Sequence, residues 1–189
     1  MSSCVFVFNA PAISFSKTDL YSKDFSFEKT GSYIKAISDS FFLSNEFRKN
    51  NVVYYCTQYK EEPITIIFDG KTIRYLGPSF FSAAHLLLRA KDHIDNPNSK
   101  SGKLTPGLTV HKQPSEGVLE KFAEKELMKI QRSSKIIITP QLESCLDTNV
   151  FLFGFDKLPM KYRQIEIPLG PLAINEQVIM INYFLDQVV

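Results

Sequence analysis

The chain has 189 residues, of which 44% are hydrophobic and 22% are charged, and its formal net charge is +2. This composition predicts a globular protein with one sizeable core and argues against extensive disorder. The net charge is too small to demand a nucleic-acid partner, but the first 135 residues carry +5 and the remainder −3, so a phosphate-bearing partner stays open.

The three cysteines argue for a reducing compartment. Cys4, Cys56 and Cys145 are widely separated and odd in number, which indicates neither a disulfide framework nor a zinc site. The sequence shows no export signal, and no stretch approaches the ~18 consecutive apolar residues that a membrane span needs. We therefore expect a cytoplasmic protein with no metal ion and no membrane partner.

The first third of the chain predicts two buried strands joined by a helix. Residues 5–8 form an apolar run that stops at Asn9-Ala10-Pro11, and residues 52–56 form a second, β-branched and aromatic run. Between them, apolar residues recur at helical spacing from Gly31 to about Arg48. A helix between two such strands is typical of a parallel pair.

The middle of the chain predicts a hairpin followed by a helix. Asp69-Gly70 lies between apolar runs at 64–68 and 73–75, which is a strong hairpin signal. Pro78 and Ser79 can open a helix that ends near residue 93, and the polar residues 95–103 predict a loop.

A short strand to residue 110 and a helix from Pro114 to about Arg132 are expected next. Val118, Leu119 and Leu127 would give that helix its buried face, and Lys129 would lie near its C-terminal end.

The last third predicts three compact strands and a final helix. The strands are residues 136–138, 150–153 and 164–167, each ending in a Pro- or Gly-containing loop, and the helix runs from about 172 to 187. Together these elements predict one α/β domain over residues 1–189, with a mainly parallel sheet and helices on both faces. Ligands of such sheets bind beyond the carboxyl ends of the strands.

Several motifs, taken in order and spacing, resemble the archaeal-type tRNA pseudouridine N1-methyltransferases of the trefoil-knot (SPOUT) superfamily over nearly the whole chain. They are Ser40-Phe41-Phe42-Leu43-Ser44 with Arg48, Ile67-Phe68-Asp69-Gly70, Ile73-Arg74-Tyr75-Leu76, Thr105-Pro106-Gly107-Leu108, Leu169-Gly170-Pro171-Leu172 and Leu185-Asp186.

The resemblance implies a C-terminal trefoil knot at about residues 135–189 that holds S-adenosylmethionine, and a homodimer formed through the C-terminal helix. It implies methylation of tRNA pseudouridine-54 at N1, with tRNA or another structured RNA as partner. By position, the cofactor pocket would be lined by Ile138, Gly154, Leu169, Gly170, Leu172 and Ile174.

The catalytic residues implied by the resemblance differ from the family pattern. Where the family has an Arg and an Asp near the start of the first helix, this chain has Lys29-Thr30-Gly31, so Lys29 is the candidate cation and the acid is missing. Asp156, in a shortened cofactor loop, is the nearest candidate acid, although an aspartate there can also cap a turn. The alternative function is therefore a non-catalytic RNA-binding or assembly factor of the same fold.

A scattered set of basic residues could follow RNA phosphates or form an ordinary solvated surface. They are Lys71, Arg74, Lys100, Lys103 and Lys112.

Overall fold

A computed structural model describes residues 3–21, 30–43, 46–96, 102–131 and 150–187. In chain order the elements are β1 (Val5–Asn9), α1 (Thr30–Asp39), β2 (Phe42–Leu43), β3 (Glu46–Phe47), β4 (Val52–Tyr59), β5 (Glu62–Asp69), α2 (Phe80–Asp95), β6 (Gly102–Thr105), β7 (Leu108–His111), α3 (Ser115–Leu119), β8 (Leu127–Gln131), β9 (Val150–Phe153), β10 (Gln164–Pro168) and α4 (Ile174–Gln187).

Eight strands form one sheet in the order β10-β8-β9-β1-β4-β5-β7-β6. The pairings from β10 to β4 are parallel, and those from β4 to β6 are antiparallel. The predicted α/β class with a mainly parallel sheet is confirmed, including the parallel pair of β1 and β4. The antiparallel half supplies an edge that the sequence pattern did not reveal.

Side chains of β1 explain why helices cover both faces of the sheet. Phe6 and Phe8 pack under α1, α2 and α4, whereas Val7 points to the opposite face, where α3 packs. A strand that is buried on both sides is typical of a parallel sheet with covered faces. Each such aromatic burial contributes about 1.5 to 3 kcal/mol relative to exposure.

The predicted extension of α1 to Arg48 is wrong, because the helix ends at Asp39. The Ser40 hydroxyl donates back to the Ala36 carbonyl, and Asn51 Nδ2 donates to the Ser40 carbonyl at 2.6 Å. These bonds satisfy the last turn of the helix without continuing it. The chain then folds back as the β2–β3 pair.

The predicted hairpin at Asp69-Gly70 is also wrong. The Asp69 carboxylate accepts bonds from the Lys71 amide and the Thr72 hydroxyl, which makes a local turn, and β5 pairs with β7 instead. A Cβ on Gly70 would lie 2.8 Å from the backbone oxygens of Asn51 and Lys49, so close backbone approach explains this glycine. The hairpin lies earlier, between β4 and β5.

The turn of that hairpin is Lys60-Glu61, whose φ angles are 51° and 66°. Two left-handed residues match the type I′ geometry that tight hairpins prefer, but neither residue type signals it in a sequence.

The predicted helix over 114–132 is wrong in its second half. α3 ends at Leu119, a short 3₁₀ turn follows, and Leu127–Gln131 is β8, paired between β10 and β9. Leu127 packs on the α3 side of the sheet, whereas Met128 and Ile130 pack on the α1 side. A central strand can bury both faces at once, and this outweighs the helical spacing of the apolar residues.

The remaining predictions have mixed outcomes. α2 begins after Ser79, whose hydroxyl accepts from the Ser82 amide, and β7, β9, β10 and α4 occur where they were expected. The predicted loop over 95–103 is wrong at its end, because β6 begins at Gly102. The predicted strand 136–138 lies outside the described residues, as do residues 97–101.

Candidate functional site

The carboxyl ends of three neighbouring parallel strands open onto one cavity of about 610 Å³. Register places Phe8 of β1 beside Phe153 of β9, and Leu152 of β9 beside Lys129 of β8, so the three strands end at one level. The residues that line this cavity come from the three strand ends, from α1 and from the start of α4: Pro11, Ser32, Tyr33, Lys129, Ile130, Gln131, Gly154, Phe155, Asp156, Leu172, Ala173, Ile174 and Gln177. The volume lies within the ~300 to 1,000 Å³ of small-molecule sites.

Gly154 directly follows β9 and packs closely against the end of β1 and against α1. Its φ is +75°, and a Cβ there would lie 2.4 Å from the Tyr33 hydroxyl and 2.5 Å from the Asn9 carbonyl oxygen. Asn9 Nδ2 also donates to the Gly154 carbonyl at 3.1 Å. The glycine is therefore required by backbone conformation and by space, and it leaves backbone exposed in the wall of the cavity.

A buried lysine supports the next part of the wall. The side chain of Lys129 is 7% exposed, and its Nζ donates to the Asp156 carbonyl at 2.7 Å and lies 3.4 Å from Glu166 Oε1. A buried ammonium is costly unless it is paired, so these acceptors explain its position. The result is a fixed positive charge beside the carboxylate-bearing loop.

Lys129 was missed at the level of sequence because its segment was assigned to a helix. The signal that could have found it is the pattern Leu127-Met128-Lys129-Ile130-Gln131, in which one charge interrupts a short apolar run. A charged residue inside a buried strand needs a partner and often marks a site.

The turn into α4 supplies the opposite wall. The Ala173 amide donates to Glu176 Oε2 at 2.8 Å, and Gln177 Nε2 donates to the Leu172 carbonyl at 3.2 Å. These bonds satisfy the first turn of the helix and hold Leu172 and Ile174 at the cavity.

α1 and α4 are tied together behind the cavity. Asn182 Nδ2 donates to the Asp39 carbonyl at 2.9 Å, and the Asp39 carboxylate pairs with Lys35. Burial raises the pKa of the Asp39 carboxyl, although Lys35 and Asn175 act in the opposite direction. Because both helices begin at the carboxyl edge of the sheet, this packing fixes the side of the cavity that they form.

The predicted site residues fall into three groups. Gly154, Asp156, Leu172 and Ile174 line the cavity together. Leu169 and Gly170 are buried beside it and do not belong to its lining: the Leu169 amide donates to the Gln131 carbonyl at 3.1 Å, and Gly170 has a φ of +68°. They shape the connection from β10 to α4. Ile138 and Lys29 lie outside the described residues.

The lining suits an adenosyl ligand. Ile130, Leu172 and Ile174 offer apolar surface for an adenine ring, and the missing side chain at Gly154 permits close backbone approach. Asp156 and Gln131 offer polar groups for hydroxyl and amino substituents. In the described part of the chain, no cluster of three His, Cys, Asp or Glu residues could hold a metal ion.

A mainly parallel α/β sheet with a small-molecule cavity beyond its strand ends defines a class of cofactor- or nucleotide-binding proteins. The particular family follows from comparison: the family model described as "Putative SAM-dependent RNA methyltransferase" matches residues 22–165, well over half of the chain. The chain belongs to this family. No curated protein matches the chain significantly.

Family membership makes S-adenosylmethionine the cofactor and RNA the substrate class. The matched residues include Lys129, Gly154 and Asp156 and end before α4. No described helix is both long enough and apolar enough to cross a membrane.

Proposed function

We propose that this protein methylates N1 of pseudouridine-54 in tRNA with the methyl group of S-adenosylmethionine. The observation that carries the proposal is the cavity in which Gly154, Asp156, Leu172 and Ile174 meet beside the buried Lys129. The family supplies RNA methylation, and the motif resemblance favours pseudouridine as the base.

The cofactor would be held by the apolar residues Ile130, Leu172 and Ile174 and by the exposed backbone at Gly154. When bound, it supplies a methyl group on a positively charged sulfur, which is already activated for transfer. The protein then has to hold the acceptor nitrogen in line and manage its proton.

Asp156 and Lys129 provide the groups that this proton transfer needs. As N1 gains the methyl group it loses its proton, which the Asp156 carboxylate is suited to accept; such a base contributes about 10² to 10⁴ in rate. Negative charge that develops on the uracil ring is stabilised by the ammonium of Lys129, which has three donors and gives two to Asp156 and Glu166. Lys29, which directly precedes α1, stays a prediction as a second cation.

We extend the proposal to a homodimer through α4 and to a trefoil knot at about residues 135–189. Ile179 and Tyr183 are 37% and 53% exposed and lie one turn apart, so they form an apolar surface for a second copy. Analytical ultracentrifugation of Tyr183→Glu tests the dimer: the proposal expects a shift toward monomer, and an unchanged sedimentation coefficient would exclude this interface.

The proposed reaction is tested by incubating the protein with S-adenosylmethionine and tRNA that carries either pseudouridine or uridine at position 54, followed by mass analysis of the nucleosides. Methylation of the pseudouridine substrate alone supports the proposal. Asp156→Asn should lower kcat about 100-fold, whereas the exposed control Glu124→Gln should retain full activity.

A second candidate function is a non-catalytic RNA-binding or assembly factor. It is favoured by two observations: Asp156 is the one carboxylate among the described residues that line the cavity, and Lys29-Thr30-Gly31 carries no acid. RNA binding without methyl transfer to any base would support this alternative and exclude the first proposal.

A further inference from the structure

A second cavity, of about 580 Å³, lies along α2 and shares no lining residue with the candidate active site. Ser82, His85, Arg89 and Asp92 recur at spacings of three or four residues, so they form one face of the helix over about 15 Å. Lys17 and Tyr75 close the sides. We call this surface, together with Tyr21 and Phe81 beside it, the aromatic groove.

The groove displays flat aromatic rings to solvent. Tyr75, Tyr21 and Phe81 are 70%, 64% and 43% exposed, and they make up half of the six large hydrophobic side chains that are exposed in the described part of the chain. Tyr21 stacks on Phe81 with planes 7° apart, and the Arg89 guanidinium lies 5.8 Å from the Tyr75 ring centre. Exposed rings and guanidinium planes are the surfaces on which unpaired bases stack.

Tyr75 is held in this exposed position by the backbone on both sides. The Arg74 amide donates to the Pro106 carbonyl at 3.2 Å. Gly77 and Ser82 exchange two hydrogen bonds of 3.0 and 2.7 Å. The φ of Tyr75 is +69°, a conformation that a bulky residue rarely adopts. The backbone that carries the ring is therefore already ordered, which lowers the entropic cost of binding.

The charge of the groove suits a polyanion. Lys17, Arg89 and Lys91 line it against a single acid, Asp92. The Lys91 ammonium is already bound by the Phe15 carbonyl at 3.2 Å, so Lys17 and Arg89 remain for phosphate contacts. A ligand that is both anionic and rich in flat rings is a nucleic acid, and only an unpaired segment exposes its bases for stacking.

The groove runs along α2 from the opposite edge of the sheet, where Tyr75 follows β5, toward the edge that carries the candidate active site. α2 ends at Asp95, whose carboxylate accepts bonds from the Tyr59 hydroxyl and Lys60 Nζ at the carboxyl end of β4. β4 is parallel to β1, which ends at the active-site cavity. An RNA that reaches the cavity can therefore extend along α2.

We propose that the aromatic groove binds an unpaired segment of the substrate RNA, with a base stacked on Tyr75 and phosphates on Lys17 and Arg89. This inference rests on the proposed function, because the RNA that is bound is the RNA that is methylated. It adds a binding surface outside the methylation site.

The test is fluorescence anisotropy of a labelled single-stranded RNA of mixed sequence with the full-length protein, without cofactor, over a series of salt concentrations. Tyr75→Ala should weaken binding about tenfold, whereas Tyr75→Phe should stay within about twofold of the native protein, because the ring is kept. Arg89→Gln should weaken binding several-fold and flatten the salt dependence. The exposed Lys125 provides the matched control, Lys125→Gln, which should change neither.

Native affinity in the double variant Tyr75→Ala/Arg89→Gln would overturn the inference. Equal affinity for blunt duplex RNA would overturn base stacking, and equally effective competition by polyglutamate would indicate an acidic protein partner instead. Calorimetry with S-adenosylmethionine should give native affinity for every variant. RNA binding that depends on Tyr75 in a protein that transfers no methyl group would refute the proposed function but would still support RNA binding by the aromatic groove.

Discussion

Arg48 Nη2 lies 2.5 Å from Asp186 Oδ2, and this ion pair joins the segment after β3 to the last turn of α4. The two residues are 138 positions apart, and both belong to the motifs that resemble the methyltransferase family. The Arg48 side chain is only 8% exposed, whereas that of Asp186 is 36% exposed. The pair therefore anchors the helix whose first turn lines the candidate active site.

Asp186→Ala should lower the free energy of unfolding by about 1 to 2 kcal/mol, because it leaves a buried guanidinium without its partner. The exposure of Asp186 keeps the loss below that of a fully buried pair. Urea denaturation measures the change. The exposed pair of Lys112 and Glu62 is the control: Glu62→Ala should cost less than about 0.5 kcal/mol. Additive losses in Arg48→Met/Asp186→Ala would contradict direct coupling.

Gly154→Ala should destabilise the protein by about 1 to 3 kcal/mol, because the left-handed backbone is strained and the new methyl group meets the Asn9 carbonyl. The matched control is Gly117→Ala in α3, where the nearest atom lies 3.7 Å away and a helical alanine should be neutral or stabilising. Thermal unfolding compares the two. Equal melting temperatures for both variants would contradict the proposed packing of Gly154.

Lys129→Met should weaken S-adenosylmethionine binding about tenfold, because the Asp156 carbonyl loses its donor and the loop after β9 is no longer fixed. The same loss of a buried hydrogen bond should cost about 1 to 3 kcal/mol of stability. Calorimetry below the melting temperature separates the two effects. Lys157→Met, on the exposed side of the same loop, should keep native affinity. Native affinity in Lys129→Met would exclude a role for this lysine in the cavity.

The pKa of Asp39 predicts a pH dependence of stability. Burial raises this pKa above its ordinary value of 3.8, so the folded state holds a proton more readily than the unfolded state. Its contribution is complete below 3.8 and is lost as the pH rises through the folded-state pKa. Asp39→Asn should therefore gain stability relative to the native protein as the pH rises from 3.8 through the folded-state pKa. Urea denaturation of both proteins at several pH values measures this gain. If the stability difference between Asp39→Asn and the native protein did not change with pH, this account would be contradicted.

Elements with a strong local pattern were predictable from the sequence. β1 and β4 begin with apolar runs, β9 is apolar throughout, and α2 combines an N-cap at Ser79 with an apolar face, so local preference and final environment agree. The predicted hairpin at Asp69-Gly70 was wrong because the local pattern did not reflect the final environment of this glycine. Gly70 is required by the nearby backbone oxygens of Asn51 and Lys49, which lie in a distant segment.

The candidate active site was predictable in part. The rule that ligands bind beyond the carboxyl ends of parallel strands indicated the loops, and the family resemblance indicated Gly154, Asp156, Leu172 and Ile174 within them. Lys129 could not be placed, because its acceptors lie 27 and 37 residues away. The burial of Leu169 behind the cavity likewise depends on β10 pairing with β8.

The amino-acid sequence by itself determined the class of fold and the positions of the loops at the strand ends, because apolar periodicity and glycine placement act over a few residues. Only the tertiary structure decided that residues 127–131 form a strand, that Lys129 contributes to the lining of the cavity, and that Tyr75 and Arg89 share a groove. Those outcomes depend on pairing and burial between distant segments, where the free energy of packing outweighs local preference.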